Sequence, residues 1–176
     1  NRPGIVLTQI LIGIFLAIGL SPNSGQAQSA AAEQSVLIFT KTEGFRHSSI
    51  PTGVEAVIRL ADQEDIHTFH TEDAGYFHPD SLESYDAVVF LNTTGDILDD
   101  GQQESFEQYI RNGRGFLGIH AAADTEYEWP WYGDMVGAYF TSHPKIQEAA
   151  IKVIELSHAA TSHLPEKWVR TDEWYN

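Results

Sequence analysis

Two short runs of this chain, Val36–Phe39 and Ala87–Leu91, are apolar at every position, and a third, Phe116–Ile119, is interrupted only by a glycine. Short apolar runs bounded by polar residues predict strands that are buried on both faces. Helical patterns separate these runs, and strands that alternate with helices predict a parallel sheet covered on both sides. We therefore expect an α/β protein with a doubly wound parallel sheet, in which these three strands are central and little exposed.

The other elements are predicted from periodicity and from end signals. Pro51–Asp62 carries apolar side chains at helical spacing behind an initial proline, which predicts a helix. Asp99–Ile110 predicts a second helix, because its first two residues are acidic and suit the positive end of a helix. Further strands are expected at Ile66–Thr71 and at Ala149–Leu156, where apolar and polar residues alternate.

In a doubly wound sheet, ligands bind beyond the carboxyl ends of the strands. The segments that leave those ends are polar, and they are Lys41–Ser49, Asn92–Asp96 and His120–Asp124. His120 follows its strand directly and precedes small residues, which is the pattern of a sharp elbow that exposes one side chain. Neighbouring strands are about 4.8 Å apart, so His47 and His120 should face one crevice even if one strand intervenes.

These residue types point to acid–base chemistry on a polar substrate. His120 and a carboxylate four residues later, Asp124, would transfer protons. Arg46 and His47 would bind substrate, since a guanidinium can hold a carboxylate or a sugar hydroxyl. Other interpretations stay open: His120 as a packing residue at a strand end, Asp124 as an ordinary helix-start acid, and Arg46 and His47 as parts of a solvated loop.

An aromatic segment, YEWPWYG, follows the elbow on what reads as an irregular loop. Trp129, Trp131 and Tyr132 would offer flat apolar faces beside carboxylates, which suits the C–H patches and hydroxyl edges of a sugar ring. The alternative is a hydrophobic plug that closes the domain. The sequence does not separate these two interpretations, and Trp129 and Tyr132 are retained as candidate substrate-binding residues.

The start of the chain has the pattern of an export signal. Arg2 precedes an apolar run, Ile10–Leu20, and a small, polar segment follows it. The run is too short for a membrane-spanning helix, which needs about 20 residues, although an uncleaved anchor is the alternative. We predict a signal peptide over residues 1–27 and cleavage near Gln28, which would place the mature protein in the periplasm or outside the cell, without a membrane attachment.

Residues 28–34 are predicted to be a linker and 35–176 a single domain. The formal net charge of −15 disfavours nucleic acid as a partner, since like charges repel phosphate backbones. The chain has no cysteine, which excludes thiol nucleophiles and thiolate metal ligands. A small-molecule partner remains, and a homo-oligomer is compatible with the sequence.

Four segments occur in order along the chain: TKTEGFRHSS, GFLGIHAAADTEYEW, YGDMVGAYFTSHP and TDEWY. Together they closely resemble the motifs of the ThuA-like (trehalose-utilization) family. The resemblance implies a flavodoxin-like fold of the class I glutamine amidotransferase-like group. In glutamine amidotransferases the elbow carries a catalytic cysteine, whereas here it carries His120, so the chain is not expected to be a glutaminase.

The resemblance also places His143 and Glu173 in family motifs, which adds them to His120 and Asp124 as candidate acid–base residues. It implies a carbohydrate-processing protein acting on a disaccharide or keto-sugar, and together with the export signal this predicts an exported hydrolase, lyase or isomerase. A non-catalytic carbohydrate- or partner-binding domain is the alternative. A histidine cluster with a carboxylate could also bind a divalent metal such as zinc, although no motif requires a cofactor. Because family members usually continue further, the domain is expected to be C-terminally incomplete.

Overall fold

The computed structural model describes residues 33–176, and its centre is a parallel sheet of four strands. The predicted signal peptide and the first part of the linker lie outside the described residues. The strand order is β2-β1-β3-β4, and every pairing in this sheet is parallel. The strands are β1 (Ser35–Phe39), β2 (His67–Thr71), β3 (Ala87–Leu91) and β4 (Gly115–Ile119). The predicted α/β class is confirmed.

The apolar runs in β1 and β3 arise because each face of these strands packs on a different group of residues. Leu37 and Phe90 belong to one core cluster, which includes Phe106 and Tyr132. Ile38 belongs to a second cluster, on the side of the first helix. Since successive side chains of a strand point to opposite faces, apolar residues are needed at every position.

The two predicted helices begin and end within one residue of their expected bounds. Helix α1 (Ile50–Asp62) has its proline in the first turn, and it buries Val54 and Ala61. A short helix, α2 (Pro79–Leu82), precedes β3. Helix α3 (Asp100–Arg111) is capped by Asp99, whose side chain accepts a hydrogen bond from the backbone amide of Gln102. The side-chain oxygen of Gln102 in turn accepts one from the backbone amide of Asp99. This reciprocal capping satisfies two amide groups that a helix start would otherwise leave unpaired.

The prediction that Phe116–Ile119 is a central and little exposed strand is wrong. Among the described residues, β4 is one of the two edge strands and pairs only with β3. Leu117 is 52% exposed as a result. The later strand lies at Gln147–Lys152, β5, and it pairs in antiparallel register with β6 (Lys167–Asp172) in a separate two-stranded sheet rather than beside β4.

The segment after the elbow is also more regular than predicted. Helix α4 (Pro130–Val136) replaces the expected irregular loop, with proline at its start and Gly137 in the left-handed conformation at its end. Proline and glycine at these positions are standard helix boundaries. Within residues 33–176, no helix combines the length and the apolar character that a membrane span requires.

Candidate functional site

Side chains from three separate parts of the chain meet beyond the carboxyl ends of β1 and β4. We call His47, His120, Glu173 and Tyr175 the edge cluster. The Nε2 atoms of His47 and His120 lie 3.2 Å apart, and a Glu173 oxygen lies 3.4 Å from the same His120 nitrogen. The predicted approach of His47 to His120 is therefore present, although β3 separates their strands.

The elbow explains why the His120 side chain stands clear of the sheet. His120 has a φ of +53°, a left-handed conformation that non-glycine residues seldom adopt. A 3₁₀ helix, His120–Asp124, starts at this residue. The turn is tight enough that a Cβ added to Gly118 would lie 3.1 Å from the Cβ of Ala122. Small residues on both sides therefore allow the turn that exposes His120.

His47 is held by the loop that leaves β1. Backbone amides of Glu43 and Gly44 donate to the carbonyl of Thr94, which ties this loop to the exit of β3. Burial lowers the pKa of His47 below its usual value, and the neighbouring imidazole of His120 lowers it further. His47 is thus neutral at neutral pH. Its Nδ1 atom is buried and has no hydrogen-bond partner among the described residues.

Tyr175 completes the edge cluster, and the sequence interpretation missed it. Its hydroxyl oxygen lies within hydrogen-bond distance of Nε2 of His120, at 3.1 Å, and the two ring centroids lie 4.5 Å apart. Burial, together with the charges of Glu173 and Asp124, raises the pKa of Tyr175 to about 12. The hydroxyl therefore keeps its proton at neutral pH. In an extended segment, residues two apart point to the same side, so the pairing with Glu173 could have been found from spacing.

Two other candidate residues lie at the rim of the cluster. A carboxylate oxygen of Asp124 accepts a hydrogen bond of 2.6 Å from the hydroxyl of Tyr127, and its charge opposes the lowering of the His47 pKa. The exposed ring of His143 lies 6.2 Å from that of Tyr175 and is nearly parallel to it. Both residues are near the cluster without contacting its histidine pair, and their acid–base roles stay predictions.

Arg46 points away from the histidine pair. Its guanidinium makes two contacts with the carboxylate of Glu72, at 2.6 and 3.2 Å. This side-chain hydrogen bonding lowers the pKa of Glu72. Arg46 is therefore already paired with a carboxylate of the protein, and binding of a substrate by Arg46 would require the ion pair with Glu72 to open.

Two rings of the aromatic segment after the elbow pack into the core. Tyr132 is fully buried, and its hydroxyl donates to the carbonyl of Ala122. Trp129 is 8% exposed and packs against Phe106. These positions favour the interpretation as a hydrophobic plug over a role in sugar binding, because neither Trp129 nor Tyr132 offers an open ring face to a ligand.

A second cleft lies between α2 and α3, at the opposite end of the sheet from the edge cluster, and is lined by Pro79, Tyr109 and Arg114 among others. Its polar groups serve the fold, since Tyr109 donates to the carbonyl of Tyr85 and Arg114 pairs with Asp86. The edge cluster is therefore the better candidate site.

Two solved structures share this fold. A ThuA-like protein from Bacteroides uniformis matches with a TM-score of 0.70 and 24% identity over 86% of this chain. A ThuA-like protein from Parabacteroides merdae matches with a TM-score of 0.68 and 19% identity over 82% of it. The chain spans 64% and 63% of the length of these two proteins. No curated protein matches the chain.

The family model described as "ThuA: Trehalose utilisation" matches residues 35–176. The match begins at the first strand and includes all four residues of the edge cluster. The structural neighbours support the same assignment at the level of the fold. The chain therefore belongs to the ThuA family of trehalose utilisation.

Proposed function

We propose that this domain processes a carbohydrate, a disaccharide or keto-sugar, by proton transfer at the edge cluster. The convergence of His47, His120, Glu173 and Tyr175 supports this most directly. Family membership supports the substrate class, because the family is associated with trehalose utilisation. The absence of cysteine rules out a thiolate nucleophile, so the available chemistry is that of imidazole, carboxylate and phenol groups.

The protonation states of these side chains indicate which of them can accept a proton and which can donate one. Burial lowers the pKa of His47, so its imidazole is neutral and has a lone pair that can accept a proton. The Tyr175 hydroxyl can donate one, and the carboxylate of Glu173 can stabilise a positive charge that develops on His120. A proton acceptor, His47, and a proton donor, Tyr175, therefore both lie beside Nε2 of His120. Acid–base reactions of sugars need such a pair, because one atom of the substrate loses a proton while another gains one.

The test is turnover of native disaccharides and their 3-keto derivatives, with products identified by mass spectrometry. Substitution His120→Asn should lower turnover by about 100-fold or more, the usual contribution of a positioned acid or base. Asparagine is the suitable replacement because it tolerates the left-handed backbone at this position. The matched control is His163→Asn, which changes an exposed histidine outside the cluster.

Unchanged turnover in a folded His120→Asn protein would contradict the proposal and move the active site elsewhere. Sugar binding by the wild-type protein without turnover would also contradict it, and would favour a non-catalytic carbohydrate-binding domain. The products of an active wild-type protein would distinguish a hydrolase from a lyase or an isomerase, which all use acid–base groups of this kind.

A further inference from the structure

Three atoms of the edge cluster are arranged as ligands around one point. The distances between His47 Nε2, His120 Nε2 and a Glu173 oxygen are 3.2, 3.4 and 4.0 Å. A tetrahedral zinc ion with bonds of about 2.0–2.2 Å would hold its ligand atoms about 3.3–3.5 Å apart. Two sides of the triangle fit this spacing to within about 0.1 Å, and the third is about half an ångström longer.

The surroundings of His120 Nε2 favour a cation over a proton at this point. This nitrogen has three polar neighbours: Nε2 of His47, a carboxylate oxygen of Glu173 and the hydroxyl of Tyr175. A neutral imidazole nitrogen offers either one N–H or one lone pair, so it satisfies one of these contacts at a time. A cation between the three ligand atoms accepts a lone pair from each of them together.

The donor set selects the class of cation. Two imidazoles and one carboxylate form the His₂Glu set of open zinc sites, and imidazole ligands also suit other divalent transition metals. Magnesium and calcium prefer sites made entirely of oxygen ligands. We infer that His47, His120 and Glu173 form a binding site for one divalent transition-metal cation of the zinc type.

The rest of the structure is compatible with this site. His120 directly follows β4, and His47 lies in the loop after β1 that is tied to the exit of β3, so two ligands are positioned before a cation arrives. Glu173 comes from the segment after β6, so a bound cation would link that segment to the main sheet. The net charge of −15 raises the local concentration of cations.

The use of the cation in catalysis rests on the proposed function, but its binding does not. Cation binding and proton transfer need the same lone pair of His120, so one His120 side chain does not do both at once. With a cation bound, Tyr175 and Asp124 are the nearby groups that remain to move protons.

The experiment is calorimetric titration of tag-free, chelator-treated protein with Zn²⁺, Co²⁺ and Mg²⁺. The wild-type protein should bind one Zn²⁺ per chain and bind Mg²⁺ far more weakly. The substitutions His47→Asn, His120→Gly and Glu173→Gln should each weaken Zn²⁺ binding by about 100-fold or more, and His163→Asn should leave it unchanged. The visible spectrum of bound Co²⁺ should report nitrogen ligands in the wild-type protein and lose that signature in the two histidine variants.

Zn²⁺ binding that is equally strong in the wild-type protein and in the three ligand variants would overturn the inference, and so would the absence of Zn²⁺ binding to the wild-type protein. Circular dichroism on each variant separates loss of a ligand from loss of the fold. Turnover is then compared between chelated and reloaded protein. Stoichiometric cation binding without sugar turnover would contradict the proposed function alone, whereas His120-dependent turnover without cation binding would contradict the cation site alone.

Discussion

The backbone of His120 is the residue-scale feature that most sets the geometry of the site. Its φ of +53° lies in a region where an L-residue pays a steric penalty that glycine does not. The histidine at this position therefore costs stability, and the same turn exposes its imidazole to His47 and Tyr175. Strain of this kind is common where a side chain is presented for function.

Substitutions at His120 should show this penalty in the free energy of unfolding. We expect His120→Gly to stay within about 1 kcal/mol of the wild-type protein, because relief of strain offsets the lost contacts. His120→Val should be less stable than His120→Gly by about 1–2 kcal/mol, since a β-branched residue fits the left-handed region poorly. Urea denaturation of the three proteins measures the difference, and equal stability of the two variants would contradict the strain argument.

At the scale of elements, one buried carboxylate holds together the loops at the carboxyl edge. Glu126 is 1% exposed, and one of its oxygens accepts hydrogen bonds from the backbone amides of Ile97 and Leu98. Its other oxygen accepts from the side chain of Gln103 in α3. Glu126 thereby joins the segment after the elbow to the loop that follows β3, and the sequence interpretation did not identify it.

Removal of this carboxylate should destabilise the fold. Glu126→Ala leaves two buried amides without acceptors, and we expect a loss of about 2–4 kcal/mol in the free energy of unfolding. Glu126→Gln keeps one carbonyl oxygen for the two amides and should cost less. Urea denaturation of both variants checks the order. A Glu126→Ala protein within about 0.5 kcal/mol of the wild type would show that these hydrogen bonds do not stabilise the loops.

The stability difference between the wild-type protein and Glu126→Gln should depend on pH. Burial raises the pKa of Glu126 above its usual 4.5. A group whose pKa is raised in the folded state contributes stability that is fully present below pH 4.5. This contribution is lost as the pH rises through the pKa that the group has in the folded protein. The stability of the wild-type protein relative to Glu126→Gln should therefore increase as the pH falls toward 4.5, and a decrease would contradict the predicted direction.

At the scale of the whole molecule, we interpret residues 1–27 as a signal for export and the residues from 35 onward as the functional domain. The family match begins at residue 35, and the described structure begins at residue 33. A cut near Gln28 would therefore leave every described strand and helix intact. Export to the periplasm or beyond the cell remains a proposal that rests on the pattern of the first 27 residues.

Mass spectrometry of the exported protein tests this proposal directly. We expect a new N-terminus near Gln28, because small residues at positions 25 and 27 suit a signal-peptidase site. Replacement of Ala27 by a bulky residue should slow the cleavage, and replacement of Ala31 beyond the site is the matched control. Recovery of the intact leader from the soluble fraction would contradict the prediction.

Local pattern was enough to predict the α/β class, the bounds of β3 and the start of α3 to within one residue, because each depends on nearby residues. It was also enough to place His47 and His120 near one another, since strand ends in a parallel sheet share an edge. It was insufficient for β4, because burial of a strand depends on which other segment pairs beside it. A run such as Phe116–Ile119 carries the same apolar signal at the centre or at the edge.

The sequence by itself determined the order of the four parallel strands along the chain and the elbow at His120, both of which follow from residue identity and spacing. Only the tertiary structure decided that Tyr175 joins the histidine pair and that Tyr132 enters the core. It also decided that Arg46 forms an ion pair with Glu72. The physical reason is that these contacts join residues far apart in the chain, and their energies depend on distances that hydrophobic periodicity does not encode.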